Sequence, residues 1–119
     1  MNPDNHIDRR RYTRAPIHVE IYCEGEKDSR KRGKGVICLY ATDISVGGVF
    51  LESTVPFALD SLLYLRFVLP TAKEEIRIMG KVVRHQIDQD NLLEGMGIEF
   101  THIGFAEKSL IEEYINSKQ

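Results

Sequence analysis

From Ile17 the chain alternates apolar and polar residues: Ile17, Val19, Ile21 and Cys23 fall on one face, and His18, Glu20 and Tyr22 on the other. That period of two is the mark of a half-buried β-strand, and Pro16 suits its first position, where no ladder donor is needed. The pattern recurs. Val36 to Thr42 reads as a second strand leading into Asp43, and Gly47-Gly48 punctuates the chain before Val49-Phe50-Leu51 opens a third. Leu62 to Leu69, closed by Pro70, is a fourth, and Glu75 to His85 a fifth, with Ile76 and Ile78 alternating and Gly80 marking a bulge. The polar turn Asp88-Gln89-Asp90-Asn91 precedes a sixth, Met96 to Phe100.

Only the stretch Gly104 to Lys118 breaks this pattern. Phe105, Leu110, Ile111, Tyr114 and Ile115 cluster on one helical face, opposite Glu107, Lys108, Glu112, Glu113 and Lys118. An apolar stripe of that kind must cover something. Short strands with open edges are a liability, and closing them on one another removes it. The expected fold is mainly β: a six-stranded antiparallel barrel over about 15–103, with a C-terminal helix over about 104–117 packed on it. Residues 1–8 are polar and aperiodic and read as a flexible arm, leaving 9–119 as a single domain.

At 119 residues, 42% of them apolar and 29% charged, the chain is large enough for its own core. No apolar run approaches the ~20 residues of a membrane span. Met1-Asn2-Pro3-Asp4-Asn5 lacks the basic and apolar regions of a secretory signal, so the expected compartment is the cytoplasm. There, Cys23 and Cys38 stay reduced and read as small core or near-core residues. A net charge of −2 argues against a general nucleic-acid binder. His6, His18, His85 and His102 show no metal-ligand spacing with the cysteines, so no metal is expected.

Positive charge is instead local. One cluster is Lys27 to Lys34, read as a solvated connection between strands. The other is Arg9, Arg10, Arg11 and Arg14, followed about thirty residues on by Asp43-Ile44-Ser45-Val46-Gly47-Gly48. Guanidinium forks match phosphate oxygens and guanine O6/N7, while a carboxylate accepts from guanine N1–H and N2–H. Paired glycines with Asp and Ser are also ordinary turn chemistry, which accounts for the corner but not for the neighbouring arginines. In a regular strand Asp43 and Ser45 share a face, so both could meet one purine. Gly48 would let the backbone pass close to it or adopt a conformation closed to other residues.

Arg10 and Arg14, then Asp43, Ser45 and Gly48, meet the pattern R-x-x-x-R followed by (D/N)-x-S-x-x-G, and on these residues the chain resembles the PilZ domain family of cyclic di-GMP receptors. The likeness runs from about Arg9 to Phe100 and includes Gly80-Lys81-Val82-Val83-Arg84 and Gly95-Met96-Gly97-Ile98-Glu99-Phe100. It implies the same six-stranded barrel, with Arg10 and Arg14 on guanine edges and phosphates and Arg9 and Arg11 as further phosphate partners. Asp43, Ser45, Gly47 and Gly48 would form the rest of the site. Some members stack a side chain on guanine from the position of Arg84, so Arg84 joins the expected site. Members with an arginine directly before the motif tend to bind a stacked ligand pair, so Arg9 favours two ligands per protomer.

The function this implies is that of a cyclic di-GMP receptor and adaptor, not an enzyme, since no nucleophile-base-orienter set is visible. Ligand phosphates would order the arginine arm and present a new surface to an unknown downstream protein. No cofactor is expected besides the ligand. The alternative is a PilZ-type protein-interaction module that binds no nucleotide. A single-stranded nucleic-acid binder would need aromatic platforms on the sheet, for which Tyr12, Tyr22 and Tyr40 look too scattered.

Overall fold

The structure, a computed structural model, describes residues 12–25 and 35–119. Along these run β1 (Ala15–Gly25), β2 (Ile37–Ser45), β3 (Gly48–Glu52), β4 (Leu62–Val68), β5 (Glu75–Ile87), β6 (Leu93–His102) and a helix, α1 (Phe105–Ser117). The strands close into a barrel in the order β1-β2-β3-β6-β5-β4, with antiparallel pairing throughout and β4 meeting β1 through Tyr22 to Gly25. This is the six-stranded barrel with a C-terminal helix that the alternation predicts. None of the helices among the described residues is long and apolar enough to cross a membrane.

One side of the alternation fills the barrel: Ile21, Leu51, Leu63, Leu65, Phe67, Val82 and Met96 are all buried. Each such side chain contributes roughly 1.5–3 kcal/mol relative to exposure. From α1, Ile111, Tyr114 and Ile115 join this core, and the Tyr114 hydroxyl donates to the Pro16 carbonyl at 2.6 Å. The helix is thereby tied to the start of β1. Phe105 departs from the expected apolar stripe: at about 100° per residue it lies on the opposite side of the helix from the buried Tyr114, and it is 85% exposed.

The cysteines also depart from expectation. Cys23 is buried, but Cys38 is exposed, because Cys23 pairs with Ile37 and Cys38 with Tyr22, one register step apart and so on opposite faces.

Two irregularities decide which way charged side chains point. The ladder between β2 and β3 shifts register between Ala41 and Asp43, and that between β5 and β6 shifts between Val82 and Arg84. A bulge inserts one residue and reverses the inside-outside phase beyond it. Ala41 and Ile44 are both buried, as are Gly80 and Val82, so strict alternation would turn Asp43 and Arg84 inward. The extra residue at each place turns them outward. A further shift falls between Met79 and Gly80, where the sequence marked a bulge.

Candidate functional site

The outward turn of Asp43 and Arg84 puts them in one row across the barrel. Asp43 pairs with Phe50, Phe50 with Gly97, and Gly97 with Arg84, across the strand sequence β2, β3, β6 and β5. Three strand spacings separate the ends of this row, about 14 Å. Phe50 points outward between the buried Val49 and Leu51. The Arg84 guanidinium carbon lies 5.4 Å from the centre of the Phe50 ring, within cation–π range.

Gly97 makes that contact possible. A methyl group there would come within 3.0 Å of Arg84 Cγ and Nε, so the arginine stem crosses β6 only because residue 97 has no side chain. Arg84 Nη1 also donates to Gln86 Oε1 at 3.4 Å. His85, by contrast, bonds the Phe57 carbonyl at 2.8 Å and so holds the loop before β4.

At the other end of the row, Arg14 Nη1 donates to Asp43 Oδ2 at 2.5 Å, with the two side chains 52% and 32% exposed. The Tyr12 ring packs on Gly47, whose missing Cβ would sit 2.6 Å from Tyr12 Cδ2. The last residues of the arginine segment are thus laid against the 45–48 corner by an ion pair and an aromatic contact. Arg9, Arg10 and Arg11 lie outside the described residues, as do the arm 1–8 and the basic segment Lys27 to Lys34.

The corner itself divides into structural and available groups. Ser45 is only 6% exposed, and its hydroxyl oxygen accepts the Gly47 N–H at 3.0 Å, the local turn bond that such residues favour. Its O–H remains a donor. Neither Gly47 nor Gly48 has a left-handed φ, so the conformational reason for Gly48 does not apply. Gly48 is needed because a Cβ there would land on the Ile98 carbonyl oxygen, within the ladder between β3 and β6.

The sequence reading misses Phe50 and Tyr12 as parts of this site. Phe50 has only a period-two signal, and nothing in the sequence reports the bulges that bring Asp43 and Arg84 beside it. The reading of the other tyrosines also changes. His18 stacks on Tyr40 with centroids 4.7 Å apart, and Arg66 lies 5.3 Å from the ring centre of Tyr22. These rings share the outer face of β1, β2 and β4 rather than being scattered, yet Glu20, Glu24 and Glu52 stand on the same face. Tyr40 donates to Glu20 at 3.2 Å, which pushes its hydroxyl pKa up. Those carboxylates repel a phosphate backbone.

The profile of the PilZ domain family matches residues 8–117. Among solved structures, the Bacillus subtilis inhibitor of motility (MotI/DgrA) aligns with a TM-score of 0.72 and 19% identity over 91% of this chain and 50% of that one. The chain therefore spans about half the length of that relative. The PilZ domain of YcgR from Escherichia coli, solved with c-di-GMP, aligns with a TM-score of 0.64 and 15% identity, covering 92% of this chain and 91% of that one. The PilZ domain of CeSA from a cellulose-synthesizing bacterium aligns at 0.58 and 17%, covering 88% and 96%. At these identities the likeness is one of fold. No curated protein sequence matches the chain.

Proposed function

The chain belongs to the PilZ domain family, a family of non-catalytic receptor modules, and from that premise we propose that it is a receptor for cyclic di-GMP which signals by reorganising its arginine segment. The observation that carries this reading is the junction of the two motifs: Arg14 on Asp43 and Tyr12 on Gly47. The Arg14 guanidinium and the Asp43 carboxylate offer donors to phosphate and O6/N7, and acceptors to guanine N1–H and N2–H. The similar YcgR structures were solved with this nucleotide.

In this reading Arg10 and Arg14 hold guanine edges and phosphates, and Arg9 and Arg11 add phosphate contacts. Asp43 and the Ser45 O–H face the base, and Gly47 and Gly48 keep the corner narrow. Arg84, its guanidinium within cation–π range of Phe50, supplies a stacking surface at the far end of the row. A cyclic dinucleotide carries two negative charges, so a stacked pair confines four, which four arginines can balance. We therefore assign two ligands per protomer.

Phosphate binding removes the mutual repulsion of Arg9, Arg10, Arg11 and Arg14 and draws the segment onto the barrel. The shift can be no larger than the ligand's differential affinity for the ordered state. The output is a changed surface for a downstream protein.

Isothermal titration with cyclic di-GMP tests the reading directly. Saturable binding with two nucleotides per chain, weakened by Arg10→Ala, Arg14→Ala and Ser45→Ala and by added salt, is the expected result. Binding undiminished in the arginine variants would remove the clamp from the account, and no binding at all would leave the nucleotide-free interaction module as the better description.

A further inference from the structure

Along the flank of α1, between its outward side chains and the start of β5, lies a groove of about 730 Å³ that no part of the nucleotide reading uses. Phe105, Ala106 and Leu110 form an apolar floor, and Glu74, Glu75, Glu107, Glu112 and Glu113 surround it. Among the described residues, Glu75 alone of these five has a cationic partner: Arg77 and Arg66 pair with it and hold its carboxyl below the usual range.

We propose that this groove is the docking site for a short basic amphipathic segment of a partner protein. Three features fix that chemistry. Phe105, 85% exposed at one end of the floor, is the most exposed of the large apolar side chains among the described residues. Apolar area rimmed by polar groups marks an interaction site rather than idle surface. Every charged residue lining it is acidic, and only Glu75 is paired with cations among the described residues, so the complementary occupant places lysines or arginines around an apolar anchor.

The groove follows α1 from Phe105 to Asn116, roughly 16 Å at 1.5 Å per residue, a length that suits about three turns of a partner helix. The chain's own arginine segment is a poorer fit. Ile7 is the one apolar side chain beside its arginines, and the segment leads directly into Tyr12, which rests on Gly47.

The position also suits an output surface. The inner face of the same helix carries Tyr114, whose hydroxyl holds the Pro16 carbonyl, two residues beyond Arg14. That hydrogen bond joins the strand that follows the arginine segment to the helix that lines the groove.

A fluorescent 14-residue peptide of Leu, Ala and Lys, with leucines at helical spacing on one face, is the probe. Its counterpart with Glu for Lys is the control, and both are read by anisotropy on the full chain without nucleotide. The result is then independent of whether the chain binds cyclic di-GMP. Saturable binding of the basic peptide alone is expected, with affinity falling about tenfold or more in Phe105→Ser and in Glu112→Lys/Glu113→Lys. These residues are exposed, so melting should be unchanged; Glu24→Lys on β1 should leave binding intact. No saturation by about 1 mM peptide, or equal loss in Glu24→Lys, overturns the proposal. A gain of about tenfold on replacing Arg9, Arg10 and Arg11 with alanine would assign the groove to the chain's own arm instead.

Discussion

Replacing Arg14 with alanine separates two roles that its position beside Asp43 allows. As a structural clasp, the pair is weak: with side chains 52% and 32% exposed, it belongs with surface ion pairs, worth about 0–1 kcal/mol. For a domain of this size that is a melting shift of at most about 4 °C. As a ligand contact, the same guanidinium makes charge-assisted hydrogen bonds worth about 1.5–3 kcal/mol, or roughly 10- to 150-fold in Kd. The two magnitudes barely overlap, so one variant measured two ways decides between them. Thermal melting by circular dichroism should scarcely change, while calorimetric titration with cyclic di-GMP should show a Kd raised at least about tenfold. Asp43→Ala and the double variant complete a cycle. If both side chains touch one nucleotide, the double variant should lose less than the sum of the single losses. A variant melting about 10 °C lower with an unaltered Kd would refute the reasoning, because Arg14 would then be holding the fold and not the ligand.

Other substitutions probe the remaining parts of the row. Gly97→Ala should push the flexible Arg84 stem off Phe50 and weaken nucleotide binding about two- to fivefold, while melting falls by no more than about 4 °C, since the exposed cation–π contact it loses is worth about 0.5–1 kcal/mol. Gly48→Ala should behave oppositely, lowering the melting temperature by about 10 °C or more, because its methyl group meets a backbone oxygen that cannot step aside. Raising salt from about 0.05 to about 0.5 M should weaken the complex of the unmodified chain, and the loss should shrink in Arg14→Ala. Thiol labelling with a disulfide reagent at neutral pH should modify Cys38 alone in the folded protein. Cys23 is buried, and burial, with the nearby Cys38 adding to it, pushes its pKa up to about 12, so almost no thiolate is present until the chain unfolds. Labelling of both at equal rates would contradict the closed barrel.

Strand number and helix placement were legible because most strands carry either apolar alternation, as Ile17, Ile21 and Cys23 do in β1 and Ile76 and Ile78 in β5, or a dense apolar run, as Leu62 to Val68 does in β4. Strand ends were less so. Asp43 and Ser45 read as a corner but lie within β2, since polar residues at the end of a strand satisfy the ladder as well as apolar ones. Phe105 read as part of the apolar stripe, but at about 100° per residue it falls opposite Tyr114, outside the face that Ile111, Tyr114 and Ile115 bury.

The site was legible by residue type and illegible by orientation, and the bulges explain why. Counting in twos along β2 from the buried Ala41 turns Asp43 into the core, and counting along β5 from the buried Val82 does the same to Arg84. In both strands the count fails at a single inserted residue, and the failure brings a carboxylate and a guanidinium onto the outer face on either side of Phe50. Regular pairing would bury both charges at a cost of several kcal/mol each, so the hydrophobic core itself selects the irregular register. The corner glycine has a reason of its own in the fold: Gly48 is required by the backbone of β6, whatever binds beside it. The short motif therefore mixes residues with two different jobs. Gly48 builds the tight corner, Ser45 closes it by accepting the Gly47 N–H while keeping an O–H to donate, and Arg14 and Asp43 stand on it with polar atoms turned outward, which ties the motif's spacing to this barrel.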